Sequence, residues 1–205
     1  MKKTLISGGM GYIGSFTCNL IKKKLKSKVI SIDNLSRSNL NAKKYCINKK
    51  LDISNLYKIK KILNHHNISK VLNLSSYTCV RESINKPAFY KKNNLIKQKK
   101  FINLVKKCKV KHFIFASSMS VYEKNKISKN LSPYSSYKLQ IEKYLKQLSS
   151  RDFKVTILRY PNVTGASEDG KLGDKNNKIS RIFRIFYEKM IKGKKITLYK
   201  DFKKK

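Results

Sequence analysis

Tyr134 and Lys138 stand four residues apart behind Pro133, a spacing that puts a phenol and an ammonium on one face of a helix. A cation beside a phenol favours the phenolate and draws its pKa down from about 10 toward neutrality, which makes a usable proton acceptor. Ser117-Ser118 follows the apolar run at 111–116, where the Ser118 hydroxyl, at the carboxyl end of a parallel strand, can relay a proton to that phenol. Taken alone, the Tyr-x-x-x-Lys spacing arises by chance in a chain with 49 Lys and Arg, so its weight comes from a second pattern. Tyr137 is a rival phenol, but it adjoins Lys138 and faces elsewhere.

That second pattern is Ser7-Gly8-Gly9-Met10-Gly11-Tyr12-Ile13-Gly14, with a strand-like run before it and a helical one after it. Gly8 suits a tight turn, Gly11 lets backbone N–H groups approach a pyrophosphate at the positive helix end, and Gly14 lets helix and strand pack closely. Asp33 closes the next apolar run 19 residues after Gly14, at the distance where a carboxylate accepts from the adenosine ribose hydroxyls. A carboxylate there repels a 2′-phosphate, so the pattern predicts NAD rather than NADP, with Arg37 as the counter-signal.

Such groups need a scaffold that brings strand ends together. Short apolar runs at 3–7, 28–32, 70–74, 111–116 and 154–158, and a weaker one through Tyr45-Cys46-Ile47, alternate with segments of helical period at 13–25, 54–66, 87–108 and 134–150. The alternation predicts an α/β fold, a doubly wound (Rossmann) parallel sheet with helices on both faces. Two polar stretches, 123–132 and 165–178, are long enough to cover a site.

Composition narrows the partners. The chain of 205 residues has 49 Lys and Arg against 11 Asp and Glu, a formal net charge of +38. Only six of the 49 are Arg, and the Lys excess runs together with Asn and Ile along the whole chain, as in the product of an AT-rich genome. The charge therefore reads as a solvated surface, and a nucleic-acid partner is the lesser reading. Cys18, Cys46, Cys79 and Cys108 stand far apart and His65, His66 and His112 lack ligand spacing, so reduced thiols and no metal are expected. The opening apolar stretch stops at Gly8-Gly9, short of the roughly 7–15 residues of a secretory signal. No stretch approaches the roughly 18 apolar residues of a membrane span, so a cytoplasmic protein without a membrane partner is expected.

With these residues on the page, the chain resembles the extended short-chain dehydrogenase/reductases, the NAD-dependent epimerase/dehydratase family. Similar stretches run in order from Gly8–Ser15 through Asp33-Asn34-Leu35, Asp52-Ile53, Glu82-Ser83 with Lys86-Pro87, and Asn93-Asn94. They continue through Phe113-Ile114-Phe115 with Ser117-Ser118, Val121-Tyr122, Ser132-Pro133-Tyr134 with Lys138, Leu158-Arg159-Tyr160 with Asn162, and Gly165-Ala166. The likeness is greatest to the 4-epimerase branch, which interconverts UDP-glucose and UDP-galactose. No Asp-Glu pair follows Ser118, which argues against the dehydratase branch.

The resemblance implies transient oxidation of a UDP-sugar at C4 and return of the hydride to the other face. By similarity Ser118, Tyr134 and Lys138 are catalytic. The NAD site would be made by Gly8, Gly11, Tyr12, Ile13, Gly14, Asp33, Asn34, Asp52, Ile53, Asn94, Tyr134, Lys138 and Pro161. Ser118, Tyr134 and Asn162 would meet the UDP-sugar substrate. Departures are Ser75-Ser76 and Thr78, where the family has Ala-Gly and a Lys, Glu123 in place of Gly, and Pro161 in place of an aromatic. Family members continue well beyond a strand-like run such as Ile196–Tyr199, so a C-terminally shortened form is expected, most of the substrate-binding part being absent. Residues 1–165 would hold NAD and 166–205 would begin the substrate-binding segment, with a homodimer or a partner chain completing it. The alternatives are another sugar-nucleotide epimerase, dehydratase or decarboxylase, or a non-catalytic NAD-binding remnant.

Overall fold

Leu5 and Ile6 are neighbours on one strand and both are fully buried, so β1 (Lys3–Ser7) is covered on both faces. The structure, a computed structural model, describes residues 3–25, 29–37, 40–123, 126–127, 130–174 and 182–197. Among them, β1 lies in a six-stranded parallel sheet with β2 (Val29–Asp33), β3 (Ile47–Lys50), β4 (Ile68–Asn73), β5 (His112–Ser118) and β8 (Lys154–Tyr160). The order is β3-β2-β1-β4-β5-β8, with the reversal between β1 and β4. In such a sheet ligands bind outside the carboxyl ends of the strands at that reversal.

Alternating side chains sort the helices onto two faces. Leu5, Ile30, Ile32, Val71, Phe113 and Phe115 pack with Ile59 and Leu63 of α2 (Leu56–His65), Phe101, Ile102 and Val105 of α5 (Lys97–Lys107), and Ile141 and Leu145 of α6 (Pro133–Leu148). Ile6, Val29 and Leu72 point the other way, onto Cys18 of α1 (Tyr12–Leu25), with Tyr45 and Cys46 beside it. The expected doubly wound sheet is therefore the fold.

Several boundaries differ from the sequence reading. Ser117 and Ser118 belong to β5 instead of following it. The helical stretch at 87–108 is α4 (Pro87–Lys91), a π turn at Lys92–Ile96 and then α5. A short α3 (Val80–Asn85) precedes it. The polar stretch at 123–132 contains part of a two-stranded hairpin, β6 (Tyr122–Glu123) with β7 (Lys126–Ile127). The weak run at 45–47 marks the approach to β3. In the Ile196–Tyr199 run, Ile196 and Thr197 are irregular and the other two lie outside the described residues, as do Lys28 and 175–178 of the second polar loop. The last helix is α7 (Ile182–Ile191). None of the four cysteines forms a disulfide. Among the described residues no helix is long and apolar enough to cross a membrane, and no cluster of three His, Cys, Asp or Glu side chains is present.

Candidate functional site

The glycine turn after β1 is held from both sides. Gly8 N donates to Ile32 O at 2.8 Å, and Leu74 N donates to Ser7 O at 2.9 Å, so the turn sits between the ends of β2 and β4. Gly8 has φ +76°, and a Cβ on it would stand 2.8 Å from backbone atoms of Leu74 and Ser75. A Cβ on Gly14 would stand 2.1 Å from Gly8 O, which makes close helix–strand packing the reason for that glycine. Tyr12 begins α1, with its hydroxyl donating to Gly165 O at 2.7 Å, while Ile13 is half-buried behind it.

Beneath the turn lies a polar network. Ser7 Oγ donates to Asn73 Oδ1 at 2.8 Å, Asn73 Nδ2 to Gln98 Oε1 at 2.6 Å, and Gln98 Nε2 to Ser75 O at 2.5 Å. Ser7, Asn73 and Gln98 are buried, so these bonds fix the ends of β1 and β4 against α5 without leaving those groups unsatisfied.

In front of the network is a groove with about 640 Å³ of atom-free space, open to solvent. It gathers Gly8, Gly11, Asp33, Asn34, Asp52, Ile53 and Asn94 of the expected cofactor residues. Asp33 Oδ2 accepts from Met10 N at 3.0 Å and its Oδ1 from Leu35 N at 2.8 Å, an arrangement that carries Leu35 to φ +62°. A left-handed leucine is a strained residue, and here it turns the chain at the mouth of the groove. Asp52 accepts from Ser54 N at 2.9 Å, Ser54 Oγ at 2.7 Å, Asn34 Nδ2 at 2.8 Å and Lys97 Nζ at 3.1 Å. Burial alone would raise its pKa, but these donors together hold it down to about 2. Asn94 sits on the π turn, where Oδ1 accepts from Tyr77 N at 3.0 Å and Nδ2 donates to Tyr77 O at 2.7 Å, clamping the loop after β4.

The catalytic candidates form a second cluster at the same carboxyl edge. Ser132 caps α6, its Oγ accepting from Ser135 N at 3.2 Å, and Pro133 opens the first turn. Tyr134 and Lys138 follow, 6% and 4% exposed, with Lys138 Nζ 5.7 Å from the centre of the Tyr134 ring. Lys138 Nζ donates to Ala116 O at 2.6 Å and lies 4.8 Å from the Phe115 ring centre. Desolvation lowers the Lys138 pKa to about 7, partly offset by the Glu142 carboxylate one turn on. Ser118, half-buried at the end of β5, accepts from Ser120 N at 3.2 Å. Tyr134 N donates to Ser83 Oγ at 3.2 Å, which anchors the start of α6 on α3.

Pro161 and Asn162 follow β8 and are exposed. Tyr12, Ile13, Gly14, Ser118, Tyr134, Lys138, Pro161 and Asn162 do not line the groove.

Sequence reasoning passed over Lys97, Gln98 and Tyr77 in the groove wall and Glu142, which bonds Ser117 behind the Tyr134 and Lys138 pair. Glu142 accepts from Ser117 Oγ and, through both oxygens, from Arg159. Its position four residues after Lys138 was the available signal. Nothing in the spacing around Lys97 or Gln98 marks either one.

Residues 4–205 match the NAD dependent epimerase/dehydratase family. The chain is 32% identical over 209 residues to a UDP-glucose 4-epimerase of Pasteurella multocida, covering 93% of this chain and 62% of that protein. It superimposes on the UDP-glucose 4-epimerase of Thermotoga maritima with UDP-glucose at a TM-score of 0.82 and 28% identity, covering 97% of this chain and 66% of that one. Against the UDP-glucose 4-epimerase of Brucella ovis in complex with NAD the TM-score is 0.83 at 25% identity, covering 89% and 58%. The chain thus spans about three fifths of the length of the curated relatives it matches.

Proposed function

The chain belongs to the NAD dependent epimerase/dehydratase family, and on that premise we propose that it is a UDP-glucose/UDP-galactose 4-epimerase with NAD as its resident cofactor. The observation that carries the reading is the burial of Tyr134 against Lys138 at the edge of the sheet that also bears the glycine turn. The residues fit a dinucleotide. Gly8 and Gly14 leave no room for a Cβ, and Asp33 stands at the end of β2 with its carboxylate in the groove. Gly8, Gly11, Tyr12, Ile13, Gly14, Asp33, Asn34, Asp52, Ile53, Asn94 and Pro161 would hold the cofactor, with Tyr134 and Lys138 at its reactive end.

When bound, NAD supplies a reversible acceptor for the hydride on C4 of the sugar. Tyr134 takes the proton of the 4-hydroxyl, directly or by way of Ser118, and returns a proton to the same oxygen once the opposite configuration is set. Lys138, held by Ala116 O, would in its protonated form place positive charge beside the phenol and favour the phenolate, although burial works against that charge. Asn162 meets the sugar nucleotide beyond β8. In this reading residues 1–165 hold NAD and 166–205 begin the part that meets the sugar, with a second copy or a partner chain adding contacts.

A second reading, a chain that holds NAD without turning over a sugar, is favoured by Thr78, an exposed residue in the loop after β4 where the resemblance implies a cation. Two measurements on the purified chain separate these readings: nicotinamide released on denaturation, and conversion of UDP-galactose to UDP-glucose. Near-stoichiometric NAD with turnover is the expected result. NAD without turnover leaves the second reading, and a chain that neither retains nor takes up NAD refutes both.

A further inference from the structure

The mouth of the groove carries two side chains with opposite meanings for a dinucleotide. Asp33 suits the free ribose hydroxyls of NAD, whereas Arg37, four residues on and lining the same groove, is the type of side chain that accommodates the 2′-phosphate of NADP. Asp33 is presented with its carboxylate fixed by Met10 N and Leu35 N.

Arg37 is turned to another use. Its Nη2 donates to Glu82 Oε2 at 2.5 Å, and its guanidinium carbon lies 4.5 Å from the centre of the Tyr77 ring. Both restraints are themselves anchored. Glu82 Oε2 also accepts from Tyr90 OH at 2.8 Å, and Tyr90 is fully buried. Tyr77 is clamped through its backbone N–H and C=O by Asn94. The charges favour the arrangement, since Arg37 keeps Glu82 below the usual carboxylate range. Lys97, the other cation of the groove wall, is likewise engaged, with Asp52 at 3.1 Å.

We propose that Glu82 is a specificity-determining residue of the groove: by holding Arg37 against α3 and the Tyr77 ring, it withholds a guanidinium from a 2′-phosphate and makes the site select NAD over NADP. Glu82 acts through Arg37 and is a positioning residue. The inference rests on the reading of the groove as a dinucleotide site. It also explains how an arginine so near Asp33 coexists with a carboxylate suited to NAD.

The test is the ratio of dissociation constants, Kd for NADP+ over Kd for NAD+, measured by calorimetry on the full chain after any nucleotide that came with it has been removed, at about 0.15 M salt. A variant that merely loosens the fold weakens both ligands and leaves the ratio alone, whereas a freed Arg37 moves it. Glu82→Gln keeps the size of the side chain and removes its charge, and is expected to lower the ratio by about tenfold, the worth of one charge-assisted hydrogen bond. Adding Arg37→Met to Glu82→Gln is expected to bring the ratio back to that of the unmodified chain. Should Glu82→Gln fail to fold, Glu82→Asp, whose shorter reach loosens the same contact, is expected to lower the ratio to a smaller extent.

NAD binding with a ratio unmoved in the folded Glu82 variant overturns the proposal and leaves the dinucleotide reading standing. A lowered ratio that persists when Arg37→Met is added overturns it as well, because Arg37 is then not the agent. Failure of the unmodified chain to bind either dinucleotide removes the reading of the groove and the proposal with it.

Discussion

Lys138 Nζ stands 5.7 Å from the centre of the Tyr134 ring, one helical turn along α6, and donates to the Ala116 carbonyl at 2.6 Å. Glu142 on the same helix is the carboxylate that supports its charge, and desolvation still draws its pKa to about 7 from 10.5. Because the folded value lies below the unfolded one, the unfolded chain binds the extra proton between about pH 7 and 10.5, and stability rises with pH across that window. Lys138→Met removes the titration. Its stability relative to the unmodified chain is expected to be greatest near pH 7 and to fall as pH rises, with the pH-dependent part of the difference gone by about pH 10.5. Thermal unfolding midpoints of both chains at a series of pH values check this. Parallel profiles would mean that the ammonium is better solvated than its burial implies.

Tyr134→Phe keeps the ring that packs over Lys138 and removes the hydroxyl. On the proposed chemistry it lowers UDP-galactose turnover by about 10²–10⁴-fold, the usual contribution of a general acid–base group. NAD content should fall far less than turnover, since Tyr134 is one of many residues expected to hold the cofactor. Tyr137→Phe is the control, since the Tyr137 hydroxyl reaches only Pro87 O at 3.5 Å, in an exposed position. Equal turnover in Tyr134→Phe and the unmodified chain would remove Tyr134 as the base.

How much of this was legible in the sequence depends on how local each signal is. Five of the six strands could be read because each is a short apolar run, and those buried on both faces advertise themselves by continuous apolarity, whereas β3, Ile-Asn-Lys-Lys at an exposed edge, carries almost no such signal. Gly8, Gly14 and Asp33 could be read because a tight turn and a strand-end carboxylate need those residue types at those places. The helix at 87–108 was seen as one element because a π turn keeps the helical period nearly intact while shifting which side chains face inward. Asn94 and Gln98, on and just after that turn, are both buried. Arg37 was legible as a cation near Asp33, but its partner Glu82 is 45 residues away. A pairing made by tertiary contact leaves no periodic trace.

Gly14 offers a test of the packing argument apart from activity. A Cβ there would stand 2.1 Å from Gly8 O and 2.7 Å from Gly9 Cα, and backbone atoms cannot step aside as a flexible side chain would. Gly14→Ala is expected to destabilise the chain by about 1–3 kcal/mol, as overpacking does, and to weaken NAD binding by displacing the turn. Gly173→Ala, whose Cβ would meet only Ala166 Cβ at 3.7 Å, should be near neutral. Matching melting temperatures for the two variants would contradict the role assigned to Gly14.

Glu142 ties together the edge that carries Ser118, Tyr134 and Lys138. It is 1% exposed and takes hydrogen bonds from Arg159 Nε at 3.0 Å, Arg159 Nη2 at 2.6 Å and Ser117 Oγ, so one carboxylate joins α6 to β8 and to the end of β5. Burial raises its pKa, which Ser117, Lys146 and Lys138 oppose. Removing one partner of a buried pair strands the other, so Glu142→Ala is expected to cost about 3–5 kcal/mol in denaturant unfolding. Glu142→Gln should cost less, and joining it to Arg159→Met should recover part of the loss, because the two residues share one interaction. The exposed pair Lys111–Asp152, with side chains 63% and 87% accessible at 3.1 Å, sets the contrast: Asp152→Asn should cost under about 1 kcal/mol. Strict additivity of the Glu142 and Arg159 losses would show that the pair contributes nothing beyond its separate side chains. The hold of α6 on β5 and the turn after it would then rest on other contacts, such as Lys138 Nζ to Ala116 O and Ser135 Oγ to Ser120 Oγ.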